Sequence, residues 1–151
     1  MKDVVFEWYV PYIPGRKQQF IKALMVSAAL VFFIDAVFFA AAMIFPAAFL
    51  AVTGFFLFRS WKYEYEYVYV NGDFTISKII RKAKRKDVFQ AFRPDFQEIL
   101  PGKVKKDGMQ SRDFTSGRAG APVYTVRLKG ELIYIEAEED FISEMKKYYS
   151  I

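Results

Sequence analysis

Six cations crowd one short stretch of this chain: Lys78, Arg81, Lys82, Lys84, Arg85 and Lys86, with Arg93 close behind. A cluster this dense attracts anionic lipid headgroups, at about 1 kcal/mol for each Lys or Arg near such a surface. The plainer role of a charge run is a solvated chain segment that also fixes membrane topology. A second group is Asp35, the only ionisable residue between Lys22 and Arg59. An acid inside an apolar block is a functional candidate by default. No basic residue lies at matching depth, so Asp35 either reaches the outer interface or stays protonated and bonds to a neighbouring helix. A third group, Glu138, Glu139 and Asp140, stands at the start of an amphipathic segment, where the helix dipole accounts for it. It lacks metal-ligand spacing.

There is no His and no Cys. This excludes Ser-His-Asp and Cys-His catalysis, His/Cys zinc sites, thiol redox chemistry and disulfides. No nucleotide, metal or catalytic motif appears among the remaining residues. The expectation is therefore a non-enzymatic protein with no cofactor, no metal and no catalytic residue. The net charge of +5 favours anionic partners. No nucleic acid is expected, because no binding signature is present and the nearby aromatics suit a core better than a stacking platform.

The elements that must position these residues follow from hydropathy. The chain has 151 residues, of which 54% are apolar and 19% aromatic. Ala23 to Phe58 is one apolar block. As a single helix it would run about 54 Å at about 1.5 Å per residue, against a hydrocarbon core of about 30 Å. Two spans are expected instead, Gln19–Ala40 and Met43–Trp61, with a tip near Ala41 and Ala42. Pro46 then falls in a first helical turn, where its missing N–H costs little. Gly54 and the alanines 28, 29, 47, 48 and 51 allow close helix approach. A signal peptide fits less well, since a second full apolar span follows the alanines. Arg16, Lys17 and Lys22 precede the block, Arg59 and Lys62 follow it, and the tip carries no cation. The positive-inside rule puts both termini in the cytoplasm of a multi-pass protein of the cell membrane.

Residues 1–18 read as an aromatic and basic leader, residues 19–61 as the hairpin and residues 62–151 as a cytoplasmic domain. The leader, with Phe6, Trp8, Tyr9 and Tyr12, either lies at the interface or packs on the domain. Tyr63, Tyr65, Tyr67 and Tyr69 alternate with Glu64, Glu66, Val68 and Val70, the period of a strand. The tyrosine face is expected to be core or membrane belt rather than a ligand groove. Asn71-Gly72-Asp73 signals a hairpin turn. Further strands are expected at Phe74–Arg81, Asp87–Phe92, Phe96–Leu100, Val123–Leu128 and Leu132–Ala137, with a short one near Phe114 in a polar loop from Lys103 to Pro122. A final helix from Glu138 to Tyr149 should bury Phe141, Met145 and Tyr148, with Ile142 and Tyr149 beside them.

The stretch from Tyr65 to Lys86 is a Tyr-rich strand, an Asn-Gly-acid turn and an apolar/Lys strand ending in a basic cluster. With the closing strand–turn–strand–helix from Tyr124 to Tyr149, it resembles a family of small bacterial two-span membrane proteins of unknown function with a PH-like cytoplasmic domain. The resemblance implies an α+β membrane protein: a two-helix hairpin, then an antiparallel, strongly bent PH-like sheet or barrel capped by a C-terminal helix. It brings no catalytic motif. The function expected is presentation of that domain to a protein partner or to anionic lipid headgroups through Lys78, Arg81, Lys82, Lys84, Arg85 and Lys86. The alternative is an accessory subunit of a larger membrane complex, or a homo-oligomer, using the hairpin as its interface.

Overall fold

The computed structural model describes residues 5–147, which fall into two compact units. One unit is residues 13–62. It contains α1 (Arg16–Phe38), a short 3-10 turn (Ala41–Met43) and α2 (Ile44–Ser60). Both helical arms are long and apolar enough to cross a bilayer. They pack along matched stripes. The half-buried positions of α1 include Gln18, Ile21, Met25, Ala28, Phe32 and Asp35, and on α2 Ala47 and Gly54 are buried and Leu50 and Leu57 half-buried. That 3-4-3 spacing is the seam of two helices crossing at a shallow angle. Gly54 makes the close approach: a Cβ there would sit 3.3 Å from the Phe58 ring and 3.7 Å from Met25 Cε. Pro46 occupies the first turn of α2, as its missing N–H requires.

The second unit joins residues 5–12 to residues 63–147. Its first sheet runs β1 (Val5–Pro11), β2 (Tyr63–Val70), β3 (Asp73–Ile80) and β4 (Lys84–Phe92), in that spatial order and antiparallel throughout. The segment read as a separate leader over residues 1–18 thus divides. Val5–Pro11 is an edge strand of the sheet, with Phe6 opposite Tyr69 and Trp8 opposite Tyr67, while Arg16 already begins α1. Alternation puts Phe6, Trp8 and Val10 toward the core and leaves Val5, Glu7 and Tyr9 exposed. The segment is too short and too interrupted by prolines to show this partnership in sequence. Pro11 is tolerated because an edge strand need not donate on both sides.

The second sheet contains β5 (Phe96–Pro101), β6 (Gln110–Asp113), β7 (Val123–Leu128) and β8 (Glu131–Glu136) in the order β5-β7-β8-β6. β6 lies parallel to β8, so the sheet is mixed rather than wholly antiparallel. The short strand expected near Phe114 ends at Asp113, and Phe114 itself is buried. β4 begins at Lys84 rather than Asp87, which takes Lys84, Arg85 and Lys86 into a strand.

The helix α3 (Glu139–Lys146) closes the unit and buries Phe141, Ile142 and Met145. Tyr148 and Tyr149, expected on the same face, lie outside the described residues. Phe141 is the hub of the core. Its ring centroid lies 4.8 Å from Trp8, 5.4 Å from Tyr69, 5.5 Å from Phe74 and 5.6 Å from Phe6. Edge and tilted contacts of this kind add about 0.5–1.5 kcal/mol each beyond the area they bury. Trp8 also stacks on Tyr67 at 5.0 Å and donates from Nε1 to the Glu136 carbonyl at 2.9 Å. The N-terminal strand is therefore part of the core.

Met145→Ala, at a site only 1% exposed, should cost about 2–5 kcal/mol in thermal or denaturant unfolding. A chain beginning at Trp61 should fail to show a cooperative transition. One in which residues 13–62 are replaced by Asn-Gly, joining Tyr12 to Tyr63 directly, should fold as a soluble protein, because the Tyr12 N–H already donates to the Tyr63 carbonyl at 3.0 Å. Near-UV circular dichroism and calorimetry distinguish them.

Candidate functional site

The pleat divides the basic cluster. Residues directly opposite in neighbouring strands share a face of the sheet. Tyr65, Tyr67 and Tyr69 point into the core, so their β3 partners Lys78, Ile76 and Phe74 lie on that same inner face. Lys86 is opposite Lys78 and Lys84 is opposite Ile80, which puts both on the inner face as well. Arg85 falls on the outer face. There its guanidinium reaches Glu66 Oε2 at 2.6 Å, pairing with a carboxylate whose side chain is 6% exposed. The Tyr9 hydroxyl lies 3.2 Å from the other oxygen of Glu66. On the same face the Ser77 hydroxyl donates to Asp87 at 2.6 Å. Arg85 is therefore a structural partner of Glu66, a residue the sequence reading did not single out. Burying Glu66 without a cation would be costly.

Arg81 and Lys82 form the tip between β3 and β4. Both have left-handed backbone, with φ of 54° and 58°, and the Ala83 N–H donates to the Ile80 carbonyl at 3.1 Å. The Asn71–Gly72 tip between β2 and β3 is also left-handed at both positions, with φ of 48° and 98°. Asn and Gly are the residues such a turn favours. Arg and Lys are not, and each bears a steric cost of about 1 kcal/mol or more there. The second tip is basic at the expense of stability.

Lys78 is anchored over the Tyr63 ring, its Nζ 4.0 Å from the centroid. Tyr63 stacks on Tyr12 with centroids 4.6 Å apart and planes 10° from parallel. Burial pushes the Tyr63 hydroxyl's pKa up, with neighbouring Tyr65 and Tyr12 adding to the effect, so it stays neutral. The tyrosine face is otherwise core: Tyr67 and Tyr69 are fully buried and Tyr65 nearly so. Arg93 donates from Nε to the Tyr69 hydroxyl at 2.9 Å.

Asp35 sits in the last turn of α1 on the stripe that meets α2 and is half-buried. Its carbonyl accepts the Phe39 and Ala40 N–H groups at 2.9 Å and so ends the helix. Asp35 belongs to the hairpin unit and the basic cluster to the other. Glu138 stands at the N-cap position of α3 without a side-chain capping bond, and Glu139 and Asp140 lie in its first turn, as expected of acids at a helix start. Among the described residues no group of acids is arranged to hold a metal ion.

Replacing Arg81 and Lys82 by Asn and Gly should raise stability by about 1–2 kcal/mol, read as a higher Tm, because both left-handed positions are relieved.

No curated protein and no solved structure matches the chain significantly. A family model does, over residues 2–150, nearly the whole sequence and both units. The match takes in the strand before the helical hairpin, both sheets and the closing helix, and the chain belongs to the family described as Bacterial PH-like domain (DUF6106).

Proposed function

We propose that this protein is a non-enzymatic integral membrane protein. Its helical hairpin crosses the cell membrane twice and holds the PH-like domain on the cytoplasmic face, where the basic end of the first sheet contacts anionic lipid headgroups. One observation carries the reading. The register brings three points to one end of the sheet: Tyr12, from which the chain enters the hairpin; Tyr63, to which it returns; and the Ile80–Lys84 pair that closes the basic tip. Tyr63 lies three residues past the last residue of α2, and Tyr12 four residues before the first of α1. Strands on either side of the hairpin pair with each other, so a spanning hairpin must start and finish on the same side. The cation asymmetry of the flanks makes that side the cytoplasm. The tip is thereby tethered near an anionic leaflet at high effective concentration.

A second reading, a membrane-complex subunit that docks through the hairpin, draws support from a groove of about 410 Å³ between the helices. It is lined by Met25, Ala29, Leu30, Phe33, Ala48 and Ala51 among others, and is almost wholly apolar. Small residues along such a groove suit a further apolar helix.

The tests use the full chain. With single cysteines at Ala41 and Lys129, an impermeant thiol reagent should label position 41 in intact cells and spare position 129; the opposite pattern rejects the topology. In nanodiscs, hydrogen exchange of residues 78–86 should slow when phosphatidylglycerol is added to phosphatidylcholine. The protection should fade between 0.1 M and 1 M salt, as the screening length falls from about 10 Å to about 3 Å. Exchange indifferent to lipid charge rejects the headgroup contact and leaves the hairpin reading, for which in-membrane crosslinking through position 48 is the check.

A further inference from the structure

Resting on the headgroup contact proposed above, we infer that Lys78, Lys84 and Lys86 form a discrete seat for the phosphate of a single anionic phospholipid, walled by the Tyr12–Tyr63 stack. The pleat leaves these three lysines without a facing acid. Lys78 and Lys86 are direct cross-strand partners, and Lys84 is the next residue on that face of β4. Like charges directly opposite in an antiparallel pair destabilise it. The sheet has carboxylates nearby, but Glu64, Glu66 and Asp87 all fall on the other face, where Arg85 pairs with Glu66. The two inner rows that hold the lysines read Tyr12, Tyr63, Ile80, Lys84 and Val10, Tyr65, Lys78, Lys86, with no acid in either. Asp113, whose charge acts on Tyr63 and Tyr65 from the second sheet, is committed to Lys103 Nζ at 2.7 Å and to the Thr115 hydroxyl at 2.6 Å.

Three ammonium groups are therefore gathered on one face, with side-chain origins about 5–8 Å apart. A tetrahedral phosphate accepts charge-assisted hydrogen bonds through several oxygens at once and relieves their mutual repulsion. Lys78 is held in place over Tyr63, so less freedom is lost when it engages. Stacked tyrosines are suited to the headgroup level of a bilayer. Headgroup selection follows from charge. A choline headgroup would bring its own cation against three lysines, whereas a glycerol headgroup brings none. Arg81 and Lys82, at the tip itself, add only diffuse attraction.

The test compares two variants of the full chain that remove equal charge: Lys84→Gln with Lys86→Gln, and Arg81→Gln with Lys82→Gln. Protein in mixed detergent micelles is titrated with phosphatidylglycerol or phosphatidylcholine, and retained lipid is counted by native mass spectrometry. Inorganic phosphate is titrated in parallel. The unaltered chain should retain one phosphatidylglycerol in preference to phosphatidylcholine. The Lys84/Lys86 variant should bind it about thirtyfold more weakly, which corresponds to about 2 kcal/mol, the scale of a charge-assisted hydrogen bond to the phosphate. The Arg81/Lys82 variant should lose no more than a few-fold. Equal effects in the two variants overturn the seat and leave the diffuse headgroup contact standing. Retention of both lipids alike by the unaltered chain overturns both. Inorganic phosphate that displaces the lipid at equal concentration would show a soluble-anion site instead and overturn the lipid assignment. Near-UV circular dichroism establishes that each variant is folded. Should the double Gln variant unfold, Lys86→Gln alone must still weaken binding about fivefold, and an unchanged affinity overturns the seat.

Discussion

The pairing of β1 with β2 across the helical hairpin is the constraint on which the rest of the structure depends. The two strands are separated by residues 13–62 yet run in continuous register from Val5–Val70 to Pro11–Glu64. Closing a flexible loop of that length would carry an entropic cost and slow the search. The hairpin removes much of that cost, because its arms return the chain to its starting level: Met25 meets Gly54, and the Lys22 ammonium lies over the Phe58 ring. Order in the apolar unit thus prepares order in the polar one. The pairing then delivers Phe6 and Trp8 to the core, and with them two of the four rings around Phe141.

Once the sheet is set, its pleat acts as a sorting device for charge. Consecutive residues of one basic run are sent to opposite faces and meet opposite fates. Arg85 neutralises the buried Glu66, whereas Lys84 and Lys86 join Lys78 beside the stacked tyrosines without an acid in their rows. A pair such as Arg85 and Glu66 contributes little net stability against its desolvation cost, but removing one partner would strand the other. Both devices, the repulsive lysine rows and the left-handed Arg81–Lys82 tip, lower stability at one end of the sheet. The headgroup contact proposed for that end is what those costs would serve, and the aromatic core around Phe141 supplies the reserve that tolerates them.

Much of the architecture was legible in the residues. Apolar length divided by bilayer thickness required two helices rather than one, and Pro46 and Gly54 fell where a helix start and a close crossing need them. The Tyr-x-Tyr-x alternation and Asn71-Gly72 specified a hairpin, and the i, i+4 spacing of Phe141 and Met145 specified a buried helix face. The family resemblance rested on those same local patterns and held over nearly the whole chain. The candidate site was legible only as a location: a dense run of cations next to a strand.

What the sequence by itself determined is everything governed by local period: hairpin, strands, capping helix and the position of the charge. Tertiary structure decided which distant segments meet and which face each charge takes. β1 was hidden because seven residues ending at a proline carry no partner information; only the register with β2 puts Phe6, Trp8 and Val10 toward the core. The split of Arg85 from Lys84 and Lys86 was hidden because it depends on where β4 begins. A start at Asp87 leaves the cations in a loop, where side-chain direction is free. A start at Lys84 puts them on alternating faces. Glu66 drew no notice for the same reason: its burial comes from Tyr9 and Arg85, which reach it from two other strands. Periodicity reports a residue's own strand, whereas its electrostatic environment is set by the neighbours that pairing places beside it.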